Sequence, residues 1–265
     1  RLVDAYRGGS FADVPDDAAY PFGRQNLEST EPSRENPGES LAQYYAAVTQ
    51  IDEGAGQLID ELEALGLRNN TLVVYTSDHG LNCGHHGIWG KGNGTLPLNM
   101  VEESIRVPLL FNQPGRLYEG QRRAEFVDHL DLFQTLAAYA AVEPPQDPGF
   151  NYPGRSFLNL LDNSEAIPDW RREQYGEYGP LRMVRTERYK LLMRYPDGLH
   201  ELFDLWADPR ETHNLYQEQQ YAALITQLTG KIESYFGRYE DPIKRGLNAR
   251  RLPRHNFTEA WRSDV

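Results

Sequence analysis

The chain is poor in cysteine, in basic residues and in long apolar segments, and these shortages exclude several classes of protein. Cys83 is the single cysteine among 265 residues, so neither an internal disulfide nor a cysteine-based zinc cluster can form. Every apolar run is far shorter than the roughly 18–20 residues of a membrane-spanning helix, so we expect no membrane span. The net charge of −12 argues against nucleic acid as a partner, because phosphate contacts need lysine and arginine.

We expect the given sequence to begin inside a longer protein. Arg1-Leu2-Val3-Asp4 lacks an initiator methionine and the basic-then-apolar layout of a signal peptide, so it resembles the middle of a longer protein. Periplasmic, secreted and cytoplasmic locations all remain open, since one cysteine does not indicate a redox compartment. The oligomeric state is equally open.

The first part of the chain has the pattern of an α/β domain. Residues 1–39 show no periodicity and predict an irregular lead-in, and Ser40 with Gln43 has the spacing of a helix capping box. Residues 71–76 are apolar and β-branched without alternation, which is typical of a strand buried on both faces in a parallel sheet. Between them, apolar residues recur at steps of three and four, as on one face of a long helix: Tyr44, Val48, Ile51, Ala55, Leu58, Leu62 and Leu65.

The sequence pattern changes after the proline-rich segment 144–149, which is the clearest domain boundary in the sequence. Beyond it, turn signals separate short strand patterns, predicted at 173–178, 182–185, 190–195 and 201–205. A helical pattern from Tyr221 to Phe236 follows. We therefore predict one domain over 1–150, a small antiparallel sheet with a packing helix over 151–240, and an extended basic tail over 241–265.

The residues that could bind a ligand or take part in catalysis lie in a glycine-rich loop, 77–92, directly after the first predicted strand. Asp78 and His79 place a carboxylate and an imidazole side by side, as in a pair of metal ligands. His86 and Lys91 add an imidazole and a permanent cation. A metal, a cation and imidazoles together suit an oxyanion. By themselves, however, these residues equally fit an ordinary loop with a solvated lysine.

The order of the motifs resembles the sulfatase family of the alkaline phosphatase-like superfamily. The similarity rests on Ser77-Asp78-His79-Gly80, then Gly84-His85-His86-Gly87-Ile88-Trp89-Gly90-Lys91, then Glu103-Ser104-Ile105-Arg106-Val107-Pro108-Leu109. It extends over roughly residues 40–240. The resemblance implies part of an alkaline phosphatase-like sandwich with a mostly parallel sheet, followed by a small C-terminal antiparallel sheet and a helix.

The resemblance also implies roles for individual residues. Asp78 and His79 would be two ligands of one divalent cation, calcium in typical sulfatases, with manganese left open by the imidazole. Lys91 would contact the sulfate oxygens, and His86 would act as a proton donor or a substrate contact. Arg106 would position the loop, with Glu103 as its expected ion-pair partner. The substrate would be a sulfated small molecule or carbohydrate.

Two elements of the family pattern are missing from this sequence. These are an Asp-Asp pair that supplies two further metal ligands, and the motif C/S-x-P-S-R that yields the formylglycine nucleophile. Thr30-Glu31-Pro32-Ser33-Arg34 resembles that motif but begins with threonine, and Cys83 is not followed by Pro-Ser-Arg. We therefore expect the formylglycine in an N-terminal half that would also be a packing partner of this chain, and we expect the chain alone to be inactive.

Three functions are compatible with the sequence. The first is a sulfuric ester hydrolase that cleaves sulfate monoesters. The second is a phosphonate monoester or phosphodiester hydrolase of the same superfamily, which shares the Asp-His, histidine and lysine pattern. The third is a non-catalytic binding module or pseudoenzyme, although retention of Asp78, His79, His86 and Lys91 together argues against it.

Overall fold

The chain divides into two compact units, which are described separately. The structure is a computed structural model that describes residues 1–15, 17, 32–92, 95, 98–144, 151–162 and 167–251. The first unit comprises the described residues of Arg1–Arg116, and the second begins at Leu117. No helix in these ranges is long and apolar enough to cross a membrane.

The first unit is built on one long helix. A short helix α1, Leu2–Tyr6, packs on α2, Pro37–Ala64, so the predicted irregular lead-in contains a helix. The long helix begins three residues before the predicted Ser40, because the Asn36 side chain accepts a hydrogen bond from the Glu39 backbone N–H. Pro37, which lacks an N–H, then occupies the first helical position at no cost.

The apolar face of α2 is confirmed as a pattern, but much of it is exposed. Val48, Ile51, Leu58 and Leu65 are 44%, 53%, 70% and 61% exposed. Leu41, Ala42 and Ala46 are buried at the beginning of the helix. A stripe of this size normally faces a protein core, so α2 presents an apolar surface over most of its length.

The predicted first strand exists, but its environment differs from the prediction. Strand β1, Val73–Thr76, pairs antiparallel with β2, Leu109–Asn112, so that Val73 lies opposite Asn112 and Thr76 opposite Leu109. Tyr75 and Leu110 are 42% and 56% exposed. Within the described residues, therefore, β1 is neither parallel nor buried on both faces. A short helix α3, Glu102–Ile105, precedes β2.

The second unit contains the predicted antiparallel sheet. Its strands are β3, Glu173–Tyr178; β4, Leu181–Thr186; β5, Tyr189–Arg194; and β6, Glu201–Asp204. They pair in the order β3-β4-β5-β6, each antiparallel to its neighbour. The sheet confirms the C-terminal part of the predicted fold class.

The second unit also contains helices. Asp128 and Asp131 form a reciprocal capping box at the start of α4, His129–Tyr139. Helix α5 is Leu158–Asp162 and α6 is Ala222–Tyr239. Residues Gly246–Arg251 form a 3₁₀ helix rather than an extended tail, and residues 252–265 lie outside the described residues.

The core of the second unit lies between α6 and the sheet. Leu228, Ile232 and Phe236 are spaced one helical turn apart and pack on inward-facing strand residues. Those residues are Val184, Leu191, Met193 and Leu202. The helical period of 3.6 and the strand period of 2 thus place both apolar sets on one interface, as the sequence predicted.

Ile232→Ala is expected to lower the free energy of unfolding of the second unit by about 2–5 kcal/mol, because it leaves a cavity in a fully buried position. Thr226→Ala on an exposed face of the same helix is the matched control, and we expect a change within about 0.5 kcal/mol. Urea unfolding followed by circular dichroism measures both. Equal effects of the two variants would contradict this assignment of the core.

Candidate metal and anion site

The loop after β1 is held in a compact shape by its own backbone. The Gly80 N–H donates to the Ser104 carbonyl over 3.0 Å, and the Asn82 N–H donates to the Gly90 carbonyl over 2.8 Å. A side chain on Gly80 would place its Cβ 1.9 Å from the Glu103 carbonyl oxygen, so glycine is required for this approach. The residues around 80, 90 and 104 are therefore fixed relative to one another.

Asp78 and His79 emerge at the end of β1 with their side chains close together. His79 Nε2 lies 3.5 Å from Asp78 Oδ2. His79 Nδ1 is 3.0 Å from the Gly80 carbonyl, and this acceptor fixes the proton on Nδ1 and leaves the Nε2 lone pair free. The His79 side chain is 39% exposed and the Asp78 side chain is 85% exposed, so both lone-pair donors are open to an ion.

This pair fits part of a divalent-cation site. Two ligands at right angles on one ion, each about 2.3–2.6 Å from calcium, are about 3.3–3.7 Å apart, which includes the observed separation. Calcium takes 6–8 ligands, so Asp78 and His79 can supply only part of the coordination sphere. The imidazole nitrogen also suits manganese.

His86 is held on the same loop by two acidic residues. Its backbone N–H donates to Asp17 Oδ2 over 2.8 Å, and its Nε2 lies 3.0 Å from Glu103 Oε2. Burial acts to raise the pKa of Glu103, but the hydrogen bonds from His86 and from the backbone outweigh it, so the net pKa is lowered. Glu103 is therefore a carboxylate at neutral pH.

The expected pairing of Glu103 with Arg106 is wrong. Glu103 pairs with His86, and within the described part of the chain Arg106 is exposed and forms no ion pair. Residue 103 is in the short helix α3 and residue 106 caps its end, so nearness in sequence suggested a partner that the loop geometry does not provide.

Lys91 is exposed, and its backbone is tied down on both sides. Asn82 Nδ2 is 3.4 Å from the Gly90 carbonyl and Asn99 Nδ2 donates to the Gly92 carbonyl over 2.9 Å. Ser104 Oγ lies between the two amides. In the described ranges, no contact links the Lys91 ammonium to Asp78, His79 or His86, so the four candidate residues share one loop without touching as a group.

Sequence reasoning missed Asn82 and Asn99, which are 0% and 4% exposed. Two amides in a glycine-rich loop gave a weak signal, because asparagine is common in turns. Only their burial shows that they are not ordinary turn residues. Burial raises the pKa of the Cys83 thiol to about 11, which disfavours the reactive thiolate.

Comparison with known proteins identifies the family to which the chain belongs. A family model described as Sulfatase matches residues 10–142, and one described as N-sulphoglucosamine sulphohydrolase, C-terminal, matches residues 84–236. Each covers about half of the chain or more, and together they include the whole candidate site. This chain belongs to the sulfatase family. The resemblance identified from the motifs is thereby confirmed.

Individual sulfatases are similar over most of the chain. An N-acetylglucosamine-6-O-sulfatase of Bacteroides thetaiotaomicron is 32% identical over 212 residues, covering 76% of this chain and 36% of that relative. A structure determined in complex with its substrate D-glucosamine-2-N,6-O-disulfate is 30% identical, with a TM-score of 0.69. It covers 80% of this chain, which corresponds to 43% of the solved chain.

Enzymes named for a different activity share the fold of this chain. A phosphonate monoester hydrolase of Agrobacterium radiobacter has a TM-score of 0.69 at 24% identity, over 78% of this chain and 43% of that one. These neighbours confirm the predicted alkaline phosphatase-like fold. The chain spans about a third to a half of the length of the sulfatase relatives it matches.

Proposed function

We propose that this chain provides the metal- and sulfate-binding loop of a sulfuric ester hydrolase that cleaves sulfate monoesters. The observation that carries the proposal is the Asp78–His79 pair, whose 3.5 Å separation suits two ligands of one ion. Membership of the sulfatase family supports it. Lys91 lies on the same tethered loop, so a cation and a metal-ligand pair are available to one anionic group.

Asp78 and His79 would hold a divalent cation, calcium or manganese, together with ligands from outside this chain. When bound, the cation supplies charge that polarises a sulfate oxygen and stabilises the negative charge of the transferring group. The two side chains would also orient the ion relative to the loop. Their exposure leaves room for the remaining ligands.

Lys91 and His86 would act on the sulfate ester directly. The Lys91 ammonium donates hydrogen bonds to sulfate oxygens and offsets their charge. His86 keeps Nε2 against Glu103, so the ring presents Nδ1 to the substrate. In the imidazolium form both nitrogens carry protons, and Nδ1–H can protonate the leaving oxygen while Nε2–H stays bonded to Glu103.

We place the nucleophile outside this chain, as a formylglycine in a preceding segment of the full-length protein. No C/S-x-P-S-R motif occurs in the sequence. The exposed apolar face of α2 supports the same arrangement, since Val48, Ile51 and Leu58 would be covered by that segment. The partner of this surface is then the remainder of the catalytic domain.

The substrate class we favour is a sulfated carbohydrate. A related structure, 30% identical, was determined with D-glucosamine-2-N,6-O-disulfate, described as its substrate. The N-acetylglucosamine-6-O-sulfatase of Bacteroides thetaiotaomicron, 32% identical, is named for a sulfated amino sugar as well. Each match spans most of this chain. A sulfated amino sugar is therefore the first substrate to assay beside a simple aryl sulfate.

The decisive experiment compares this chain alone with the full-length protein on an aryl sulfate, an aryl phosphonate and a sulfated glucosamine. We expect no turnover by the chain alone, because it lacks the nucleophile. We expect sulfate ester hydrolysis by the full-length protein, and its loss on treatment with a chelator. Turnover by the chain alone at ordinary enzyme rates would overturn the placement of the nucleophile.

The same panel separates the two alternatives. A higher kcat/KM for the aryl phosphonate would identify a phosphonate monoester or phosphodiester hydrolase. That alternative is kept because phosphonate monoester hydrolases share this fold. A full-length, metal-loaded protein that hydrolyses none of the three compounds would favour a non-catalytic module.

A further inference from the structure

We propose that Asn82, Ser104 and Asn99 are positioning residues for Lys91, because they clamp the backbone on both sides of it. The proposal rests on the sulfate-binding role proposed for Lys91. It adds to that role two buried asparagines and a partly buried serine, which do not themselves touch the substrate. We call this set the Asn82–Ser104–Asn99 clamp.

The clamp is a continuous chain of hydrogen bonds across the loop. Asn82 Nδ2 donates to Ser104 Oγ over 2.9 Å, and Ser104 Oγ donates to Asn99 Oδ1 over 3.0 Å. At its two ends, Asn82 reaches the Gly90 carbonyl and Asn99 reaches the Gly92 carbonyl. The serine hydroxyl is the link that couples one side of Lys91 to the other.

Because the two asparagines are buried, breaking these hydrogen bonds costs more free energy than it would at the surface. Asn82 is 0% exposed and Asn99 is 4% exposed, so an amide that loses its partner pays a desolvation penalty rather than turning to water. Asn99 Nδ2 also contacts Thr95 Oγ1 at 2.7 Å, and Thr95 is fully buried. The clamp therefore holds one geometry.

The backbone at Lys91 needs such a restraint. Glycines stand on both sides of it, and Gly92 has a φ of +74°. A Cβ on Gly92 would lie 2.1 Å from Ser104 Oγ, so the serine sits directly against the lysine's neighbour. Without the clamp, the two flanking glycines would leave the backbone at Lys91 mobile. A displacement of about 1 Å at a reacting group can lower the rate about 10²-fold.

The first test uses this chain and needs no catalysis. Ser104→Ala removes the central hydroxyl, and we expect faster amide hydrogen exchange in a peptide that covers Lys91 and Gly92. Exchange in α2 of the first unit and in β3–β6 of the second should be unchanged, which shows that both units of the variant are folded. Thr226→Ala, which also removes a hydroxyl, is the control and should change neither. Unchanged exchange around Lys91 in folded Ser104→Ala would overturn the clamp.

The second test uses the full-length protein and a double-mutant cycle. We expect Ser104→Ala to lower kcat for sulfate ester hydrolysis by about 10–100-fold, with a smaller change in KM. In a Lys91→Ala background, the same substitution should have little further effect, because the residue it positions is gone. A fully additive cycle would show a merely structural role and would overturn the proposal.

Asn99→Ala provides a second variant that tests the other end of the clamp. It should raise exchange around Lys91 and give the same non-additive cycle. If the full-length protein has no sulfatase activity at all, the proposed function fails, and with it the reason for positioning Lys91. The exchange measurement still decides whether the clamp exists, so the two failures are distinguishable.

Discussion

Lys91→Ala in the full-length protein is expected to lower kcat/KM for a sulfate ester by about 10²–10³-fold, the loss typical of removing one preorganised charge-stabilising donor. Lys91 carries the permanent cation of the glycine-rich loop, and its exposed side chain stands on a backbone that is held on both sides. Charge on the sulfate oxygens would then lose a nearby counter-charge. Steady-state kinetics on an aryl sulfate measures the loss.

Two further variants make this result specific. Arg122→Ala removes an exposed cation outside the glycine-rich loop and should leave kcat/KM within about twofold, since the effect of an exposed charge is screened by salt. Lys91→Arg keeps the charge but changes its shape, and we expect only partial activity. A Lys91→Ala enzyme as active as the Arg122→Ala control would show that Lys91 does not contact the reacting group.

Lys190→Ala is expected to lower the free energy of unfolding of this chain by about 3–5 kcal/mol, because it leaves a buried carboxylate without its cation. Lys190 lies on β5, and its Nζ is 2.7 Å from Glu211 Oε1, with both side chains 0% exposed. Glu211 moreover has a left-handed φ of 52°, which is unfavourable for a residue with a side chain. Chemical denaturation measures the change.

The matched comparison for this pair is a surface lysine. Lys244 lies 3.7 Å from Asp241 and is 83% exposed, so Lys244→Ala should cost less than about 1 kcal/mol. The double variant Lys190→Met with Glu211→Leu should recover much of the lost stability, because neither buried charge remains. A single Lys190→Ala variant no less stable than Lys244→Ala would contradict the buried pair.

The sequence predicted the second unit best, because its information is local. Each strand there carries its own turn signals, and α6 repeats its apolar residues at helical spacing. Sheet and helix therefore follow from periods of 2 and 3.6. Boundaries were less certain. Asn36 rather than Ser40 caps α2, since several polar residues can cap a helix and only the backbone geometry selects one.

The prediction that β1 is buried on both faces in a parallel sheet fails for a reason that applies to any prediction from sequence pattern. An apolar run without alternation reports what a strand is suited to contact, not what it contacts. Val73 and Val74 are suited to a buried sheet, yet in the described residues β1 pairs only with β2 and Tyr75 is 42% exposed. The apolar face of α2 is likewise suited to burial, yet much of it is exposed in the described residues.

The sequence alone determined the residue types of the site and their order: Asp78 and His79 after a strand, then His86, then Lys91, in a pattern specific enough to identify the sulfatase family. The tertiary structure alone decided the partners. Glu103 contacts His86 rather than Arg106, and Ser104 joins two buried asparagines that lie 17 positions apart in the chain. Partner choice depends on how a loop folds back on itself, and glycine-rich segments fix that path through long-range hydrogen bonds rather than local preference.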